Sequence, residues 1–349
     1  MQALLRPLAD AKRPSDFEYI VAPSTRSCTG SSERKGSRCA TVTYIATVAL
    51  LAAVATWHAV PSWAANGDIL ERTQLPTDAH AAFVAERLVY ESDGLRIVGF
   101  LAYPKSALSG NSRLPSVIFN RGGNRGFGAT SPRTFVGLAK RLTDWGYVLF
   151  ASNYRGSPGS EGQDEFGGKD VNDVVNSLQV LDHLAFVDRD RIGMWGHSRG
   201  GMMTYIALTK SQRIKAAVIA AGMSDLERSL TQRPELDAGV AAQCIPNWTT
   251  ERAKAIEARS AVRFVDSLPM NVPILLVHGT TDWRVDPLDS MDMARALHAT
   301  QRPVRLMMLE GADHAMIPRH EEYVQATRNW FERYVRDLER LPGFVQRGK

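Results

Sequence analysis

The sequence predicts an α/β fold with a doubly wound, mostly parallel sheet that starts with an antiparallel hairpin. Two strand-like stretches joined by a turn at residues 92–94 predict the hairpin. After them, short apolar runs alternate with amphipathic segments, which is the pattern of parallel strands covered by helices. At one of these junctions Ser198 lies between Gly196 and Gly200, where a strand-like run gives way to a helix-like one.

The elements follow one another in this alternation. Strands are predicted at 86–92, 96–104, 115–120, 147–153, 191–196, 215–222, 272–279 and 304–311. Helices are predicted at 133–146, 169–186, 200–210, 287–300 and 320–340. Residues 223–268 interrupt the alternation and predict a small cap insertion with a helix near 249–262. We therefore expect a linker at 66–85 and a catalytic domain at 86–349.

Composition and charge predict a globular protein that does not bind nucleic acid. The 349 residues are 44% hydrophobic and 23% charged, which is typical of a globular protein with a sizeable core. The formal net charge is +5, but residues 65–349 hold 35 basic and 33 acidic side chains, so the body of the chain has no basic stripe. We expect no nucleic-acid partner.

Residues 1–65 form an N-terminal extension that contains the features of an export segment. Arg34, Lys35 and Arg38 precede a long uncharged, alanine-rich stretch, and Ser62 and Ala64 fit a cleavage site after Ala64. The sequence predicts a cleaved signal peptide and a periplasmic or secreted protein. The alternative is a membrane anchor formed by residues 41–65, because this stretch is long enough to cross a bilayer.

Cysteine usage adds little to this expectation. Cys28 and Cys39 precede the export segment, which leaves Cys244 alone in the remainder of the chain. We therefore expect no internal disulfide there.

Ser198 is the candidate nucleophile. A Gly-x-Ser-x-Gly turn between a strand and a helix is the nucleophile elbow of the α/β-hydrolases, in which an acid and then a histidine follow the serine along the chain. Asp282 and His314 each follow a predicted strand end, so each can reach Ser198 from a loop. Asp286 is the alternative acid, although it precedes a proline and could instead cap the next helix.

Other histidines are weaker candidates for the base. His197 adjoins the serine, but an elbow directs its side chain elsewhere. His278 lies at a strand terminus and is predicted to be structural or exposed. No spacing of metal ligands or phosphate-binding glycines is found, so we expect neither a metal nor a cofactor.

Two further groups complete the candidate site. The glycine pair Gly122 and Gly123 follows a strand, and we expect the N–H of Gly123 and the N–H of Arg199 to form the oxyanion hole. Trp248 in the cap is the candidate aromatic wall of the substrate site, and Arg121 is a second candidate substrate contact.

Four stretches together resemble the catalytic domain of the prolyl oligopeptidase family. They are NYRGSPGSEGQDEFGGKDVNDV, DRDRIGMWGHSRGGMMTYIALT, VPILLVHGTTDWRVDP and EGADHAM, and the resemblance runs from about Glu86 to Trp330. It implies an α/β-hydrolase fold with Ser198 as nucleophile, Asp282 as acid and His314 as base.

The chain departs from that family in two ways. The stretch before Glu86 is too short for the family's β-propeller, and Arg121 stands where the family often has tyrosine or histidine. We expect a serine hydrolase that acts without a cofactor on small peptides or aminoacyl substrates. The alternatives are a carboxylesterase similar to the dienelactone hydrolases and a binding protein that retains the fold, and the oligomeric state stays open.

Overall fold

The computed structural model describes residues 64–110 and 112–343. This part of the chain forms a mixed sheet of nine strands. The strands are β1 (Ile69–Gln74), β2 (Phe83–Ser92), β3 (Leu95–Pro104), β4 (Leu114–Asn120), β5 (Val148–Ser152), β6 (Val187–His197), β7 (Ile214–Ala220), β8 (Ile274–Gly279) and β9 (Val304–Leu309). Their order across the sheet is β1-β2-β3-β5-β4-β6-β7-β8-β9. The strands from β5 to β9 along this order are parallel, and those from β1 to β5 pair antiparallel. The predicted doubly wound, mostly parallel sheet is confirmed.

Eight α-helices connect the strands within the same described residues. They are α1 (Pro132–Asp144), α2 (Asp170–Asp182), α3 (Arg199–Lys210), α4 (Leu226–Gln232), α5 (Ala242–Cys244), α6 (Arg252–Glu257), α7 (Pro287–Ala299) and α8 (His320–Phe331). No helix of this part of the chain is both long and apolar enough to span a bilayer. The predicted export segment, with Cys28 and Cys39 before it, lies outside the described residues apart from its last two positions.

The N-terminal hairpin forms as predicted, with Ser92 paired to Leu95 across a two-residue turn. Asp93 and Gly94 both have positive φ, at 55° and 80°, which is the backbone twist that suits a two-residue hairpin. The turn brings the Asp93 carboxylate to the Arg155 guanidinium at 2.9 Å. The hairpin is thereby attached to the long loop between β5 and α2.

The predicted linker at 66–85 is wrong in part, because β1 lies within it and pairs antiparallel with β2. The side chains of β1 are half-buried or exposed, so this edge strand is held by its backbone hydrogen bonds rather than by an apolar face. A strand of this kind lacks the alternation of apolar and polar residues by which strands are predicted.

The core has two halves, one on each face of the sheet. The α1 face, as we call it, buries side chains of α1 and α8, including Phe135, Leu142 and Phe331. The cap face buries side chains of α2, α3 and α7 together with those of the insertion between β7 and β8. The cap is thus packed on the opposite side of the sheet from α1, and its single cysteine, Cys244, is buried and free.

Candidate active site

Ser198 occupies a strained turn between β6 and α3. Its φ and ψ are 58° and −127°, a conformation that side-chain-bearing residues adopt only under constraint. A Cβ on Gly196 would lie 2.3 Å from the carbonyl oxygen of Gly200, and one on Gly200 would lie 1.9 Å from that of Asn120. Only glycine fits at either position, which is why the sequence signal at the elbow is so sharp. The Ser198 side chain makes no capping hydrogen bond to α3.

The predicted acid and base come together at the ends of β8 and β9. Nδ1 of His314 donates to Oδ2 of Asp282 at 2.7 Å. The other carboxylate oxygen, Oδ1, accepts from the backbone N–H groups of Arg284 at 2.8 Å and Val285 at 3.1 Å. Burial raises the pKa of Asp282, but the hydrogen bonds from His278 and His314, the charge of His314 and the backbone N–H of Val285 together hold the pKa well below its usual range. Asp282 therefore stays ionised and aims at the imidazole.

Asp286, the alternative acid, caps a helix instead. Its Oδ1 accepts from the backbone N–H of Leu288 at 2.8 Å in the first turn of α7. A carboxylate at that position satisfies an amide that has no partner within the helix.

A second histidine holds the acid, and sequence reasoning missed it. His278, at the end of β8, is fully buried, and its Nε2 lies 3.2 Å from Asp282 Oδ2 and 3.0 Å from the carbonyl oxygen of Val285. Since both neighbours are acceptors, Nε2 carries the proton and donates it. Nδ1 then accepts from Ser290 Oγ at 2.7 Å, which fixes the ring. The available signal was its position four residues before Asp282.

His197 supports the loop that carries the base. Its Nε2 donates to the backbone carbonyl of His314 at 3.0 Å, and the two ring centroids are 4.9 Å apart. Burial, and then the charge of His314, lower the pKa of His197 to about 4. A neutral ring in this place braces the His314 backbone.

The glycine loop after β4 approaches the serine through Gly122. A Cβ on Gly122 would lie 2.9 Å from Ser198 Cβ and 3.4 Å from Ser198 Oγ. A Cβ on Gly123, the residue predicted for the oxyanion hole, would instead meet the carbonyl oxygen of Phe127 at 2.1 Å. The loop therefore borders the nucleophile, and at Gly122 there is no room for a side chain beside Ser198.

Arg199 contributes to the site through its side chain as well as its backbone. Its buried guanidinium donates to Asp164 at 2.8 Å and to the carbonyl oxygen of Gly123 at 2.9 Å, and it also pairs with Asp170. Its backbone N–H is at the first position of α3, beside the serine. One residue thus ties the elbow, the glycine loop and the start of α2 together.

Arg121 points into the protein rather than into free space. Its guanidinium donates to the carbonyl oxygens of Gly122 at 2.8 Å, Arg125 at 3.0 Å and Asn153 at 2.9 Å, and the residue is 2% exposed. Burial, and then the charge of Arg199, lower the pKa of Arg121 to about 10. Arg121 borders the cavity at Ser198, but both terminal nitrogens of its guanidinium donate to neighbouring loops, and the buried Nε has no hydrogen-bond partner among the described residues. This arrangement favours a structural role for the guanidinium over a substrate contact.

Trp248 does not form the predicted aromatic wall. Its ring is buried in the cap, where Nε1 donates to Asp237 Oδ1 at 2.7 Å and the Arg252 guanidinium lies 4.4 Å from the ring centroid. The prediction failed because an aromatic side chain in an insertion is as well suited to hold the insertion together as to face a ligand.

The cavity that Ser198 and His314 share has a volume of about 500 Å³. Its lining is mostly apolar and comes from the glycine loop, from α1 and from the ends of β4 and β6. The lining residues are Phe119, Arg121, Gly122, Gly123, Phe127, Gly128, Ala129, Thr130, Thr134, Phe135, Leu138, His197, Ser198, Arg284 and His314.

Comparison with known proteins agrees with this geometry. The sequence model of the prolyl oligopeptidase family matches residues 134–337. The chain is 26% identical over 266 residues to a Bacillus subtilis protein named uncharacterized peptidase YtmA, covering 76% of this chain and 99% of that one. It is 23% identical over 267 residues to dipeptidyl-peptidase 5 of Porphyromonas gingivalis, covering 72% of this chain and 38% of that one.

Solved structures share the fold. A puromycin-hydrolyzing peptidase of Mycobacterium tuberculosis superposes with a TM-score of 0.62 at 24% identity, covering 78% of this chain and 41% of that one. A dienelactone hydrolase described as putative, from Klebsiella pneumoniae, superposes with a TM-score of 0.55 at 20% identity, covering 72% of this chain and 100% of that one. The predicted α/β-hydrolase fold is confirmed. The chain spans nearly all of the Bacillus relative but well under half of the Porphyromonas one.

Proposed function

Because this chain belongs to the prolyl oligopeptidase family, we propose that it is a serine peptidase that cleaves small peptides or aminoacyl substrates through an acyl-enzyme on Ser198. The observation that carries the proposal is the 2.7 Å hydrogen bond from His314 to Asp282 at the cavity that Ser198 also lines. A buried carboxylate that orients an imidazole next to a serine at an elbow is what acyl transfer by a serine requires.

In the first step the Ser198 oxygen attacks the carbonyl carbon of the substrate while Nε2 of His314 accepts the hydroxyl proton. Nδ1 of His314 keeps its own proton in the hydrogen bond to Asp282, and the carboxylate stabilises the imidazolium without taking that proton. The low pKa of Asp282 supports this role, since a protonated acid could not offset the positive ring.

The oxyanion that forms on the substrate needs donors already in place. The backbone N–H of Arg199 and the N–H groups of the loop at Gly122 and Gly123 are the donors we propose, with Gly122 in contact with the serine. The side chain of Arg199 holds the carbonyl of Gly123, which fixes the loop before the substrate arrives.

The tetrahedral intermediate then collapses and expels the leaving group. His314 donates its proton to the leaving nitrogen, the carbon–nitrogen bond breaks, and the acyl group remains on Ser198 as an ester. A water molecule, deprotonated by the same imidazole, attacks the ester and restores the serine.

The test compares kcat/KM on aminoacyl and prolyl anilides with kcat/KM on short-chain nitrophenyl esters. We expect anilide turnover that Ser198→Ala abolishes and that Ser211→Ala, at the other end of α3, leaves unchanged. Ester turnover with no anilide turnover would contradict the peptidase proposal and favour an esterase.

We also propose that the chain is exported, on the strength of the sequence features of residues 1–65. Sequencing the N-terminus of the protein recovered from culture medium or periplasm tests this. A new terminus at Ala65 supports cleavage, whereas an intact terminus in the membrane fraction supports the anchor.

A further inference from the structure

We propose that the cavity beside Ser198 binds a bulky, apolar, uncharged group of the substrate, and that α1 rather than the cap limits the size of that group. The inference rests on the proposed acyl-enzyme function and names its substrate class. That class is a peptide, amide or ester with a large apolar group next to the bond that breaks.

The lining of the cavity has the chemistry of an apolar binding site. Phe119, Phe127, Phe135 and Leu138 supply aromatic and aliphatic surface, and small residues of the loop at 128–130 leave the space open. A volume of about 500 Å³ is in the range of pockets that enclose small organic ligands. Burying apolar surface there yields binding free energy in proportion to its area.

The charges around the cavity exclude a cationic group. No carboxylate is among its lining residues in the described part of the chain, and the two permanent charges there are the cations Arg121 and Arg284. The Arg284 guanidinium lies over the exposed rings of Phe127 and Trp283, with centroid distances of 5.9 Å and 4.9 Å. An ammonium group in this cavity would lose its water, find no counterion and meet like charges.

The position of the cavity assigns its size limit to α1. Phe135 is buried in the α1 face, and Phe119 and Leu138 pack against that same face. The buried apolar residues of the cap, including Val240, Ile245 and Trp248, belong to the opposite face. The lining contains no residue between 223 and 268, so changes in the cap have no direct way to alter the size of this cavity.

Alkyl fluorophosphonates of increasing chain length test the size limit. Ser198 Oγ forms a bond to phosphorus, fluoride departs and the hydroxyl proton passes to His314, so labelling requires the nucleophile but no peptide cleavage. For the unmodified protein we expect the second-order rate of labelling to rise about fourfold for each added methylene until the cavity is full.

Two substitutions on α1 form a matched pair. Leu138 lines the cavity, whereas Val136, two residues earlier and equally half-buried, lines a separate cavity of about 420 Å³. Leu138→Trp should lower the octyl-to-methyl ratio of labelling rates at least tenfold, while Val136→Trp should change it less than twofold. Leu138→Ala, which enlarges the cavity, should keep or raise the ratio, so the inference can be tested even if one tryptophan variant fails to fold.

The outcomes separate the inference from the function on which it rests. If even the methyl probe does not label Ser198, the acyl-enzyme proposal fails and the inference fails with it. If the methyl probe labels but chain length has no effect, or if Leu138→Trp and Val136→Trp behave alike, the inference alone is overturned.

A second pair of probes tests the charge. A heptyl probe and a 6-aminohexyl probe have chains of the same length, but the second ends in an ammonium group. We expect the ammonium to slow labelling at least tenfold relative to the heptyl chain. Equal rates would overturn the assignment of an uncharged ligand.

Discussion

Replacing His278 by leucine removes one of the four hydrogen bonds that Asp282 accepts. The other three come from His314 and from the backbone of Arg284 and Val285, so the carboxylate remains bound but loses the buried donor that fixes Oδ2. A hydrogen bond to a charged group contributes about 1.5–3 kcal/mol. Because each 1.4 kcal/mol corresponds to tenfold in rate, we expect kcat/KM to fall by about tenfold to 150-fold.

A conservative substitution distinguishes this effect from a general loss of structure. His278→Gln keeps an N–H donor near the position of Nε2, so it should recover part of the activity that His278→Leu loses.

His298→Leu is the matched control, because His298 is exposed in the last turn of α7 and lies outside the cavity lining. It should leave kcat/KM unchanged. If His278→Leu is folded by its thermal midpoint and retains the original kcat/KM, the reasoning about the carboxylate is refuted. It is also refuted if His278→Leu and His278→Gln lose activity equally.

Three further predictions concern the elbow and the core. Gly122→Ala should lower kcat by about 100-fold or more with little change in thermal midpoint, because the added Cβ would lie 2.9 Å from that of Ser198 and displace the oxyanion loop; an unchanged kcat would contradict this. Arg199→Met should lower the free energy of unfolding in urea by about 3–5 kcal/mol, because two buried carboxylates lose their cation; a loss below about 1 kcal/mol would contradict it. Burial raises the pKa of Asp289 to about 7, above its unfolded value, so its contribution to stability is present at low pH and is lost as the pH rises toward 7. Between pH 5 and pH 7 this loss is about 2–3 kcal/mol, and Asp289→Asn should remove it from urea unfolding curves measured at the two pH values; an equal loss in the variant would contradict the assignment.

The parts of the fold that sequence could predict are those whose signal is a repeating burial pattern. Strands such as β4 and β8 are short apolar runs, and α1 shows the spacing of an amphipathic helix, so their positions follow from the residues that must leave water. The strand β1 was not predicted, because it is held by backbone pairing at a sheet edge and its side chains show no burial pattern.

The site was predictable to the extent that its chemistry imposes local rules. Ser198 could be found because the elbow excludes any Cβ at its two flanking glycines, and Asp282 and His314 because strand ends in parallel sheets converge. No such rule gives the inward course of the Arg121 side chain or the role of His278, for which the short spacing to Asp282 was the one signal in the sequence. Their partners, Ser290 and the carbonyl oxygens of a folded loop, become neighbours only when the chain has closed.

Arg199 has two structural roles, one through its backbone and one through its side chain, and these restrict which substitutions the protein can accept. Its backbone N–H lies next to the nucleophile, and its guanidinium pairs with both Asp164 and Asp170 while holding the glycine loop. Loss of Arg199 leaves two buried carboxylates without their cation, and loss of either carboxylate removes one of the two anionic partners that hold the guanidinium, so an isolated change at any of the three positions is disfavoured. Descendants of this chain are expected to keep all three residues or to replace them as a set, and position 199 should therefore covary with positions 164 and 170 even where the substrate has diverged.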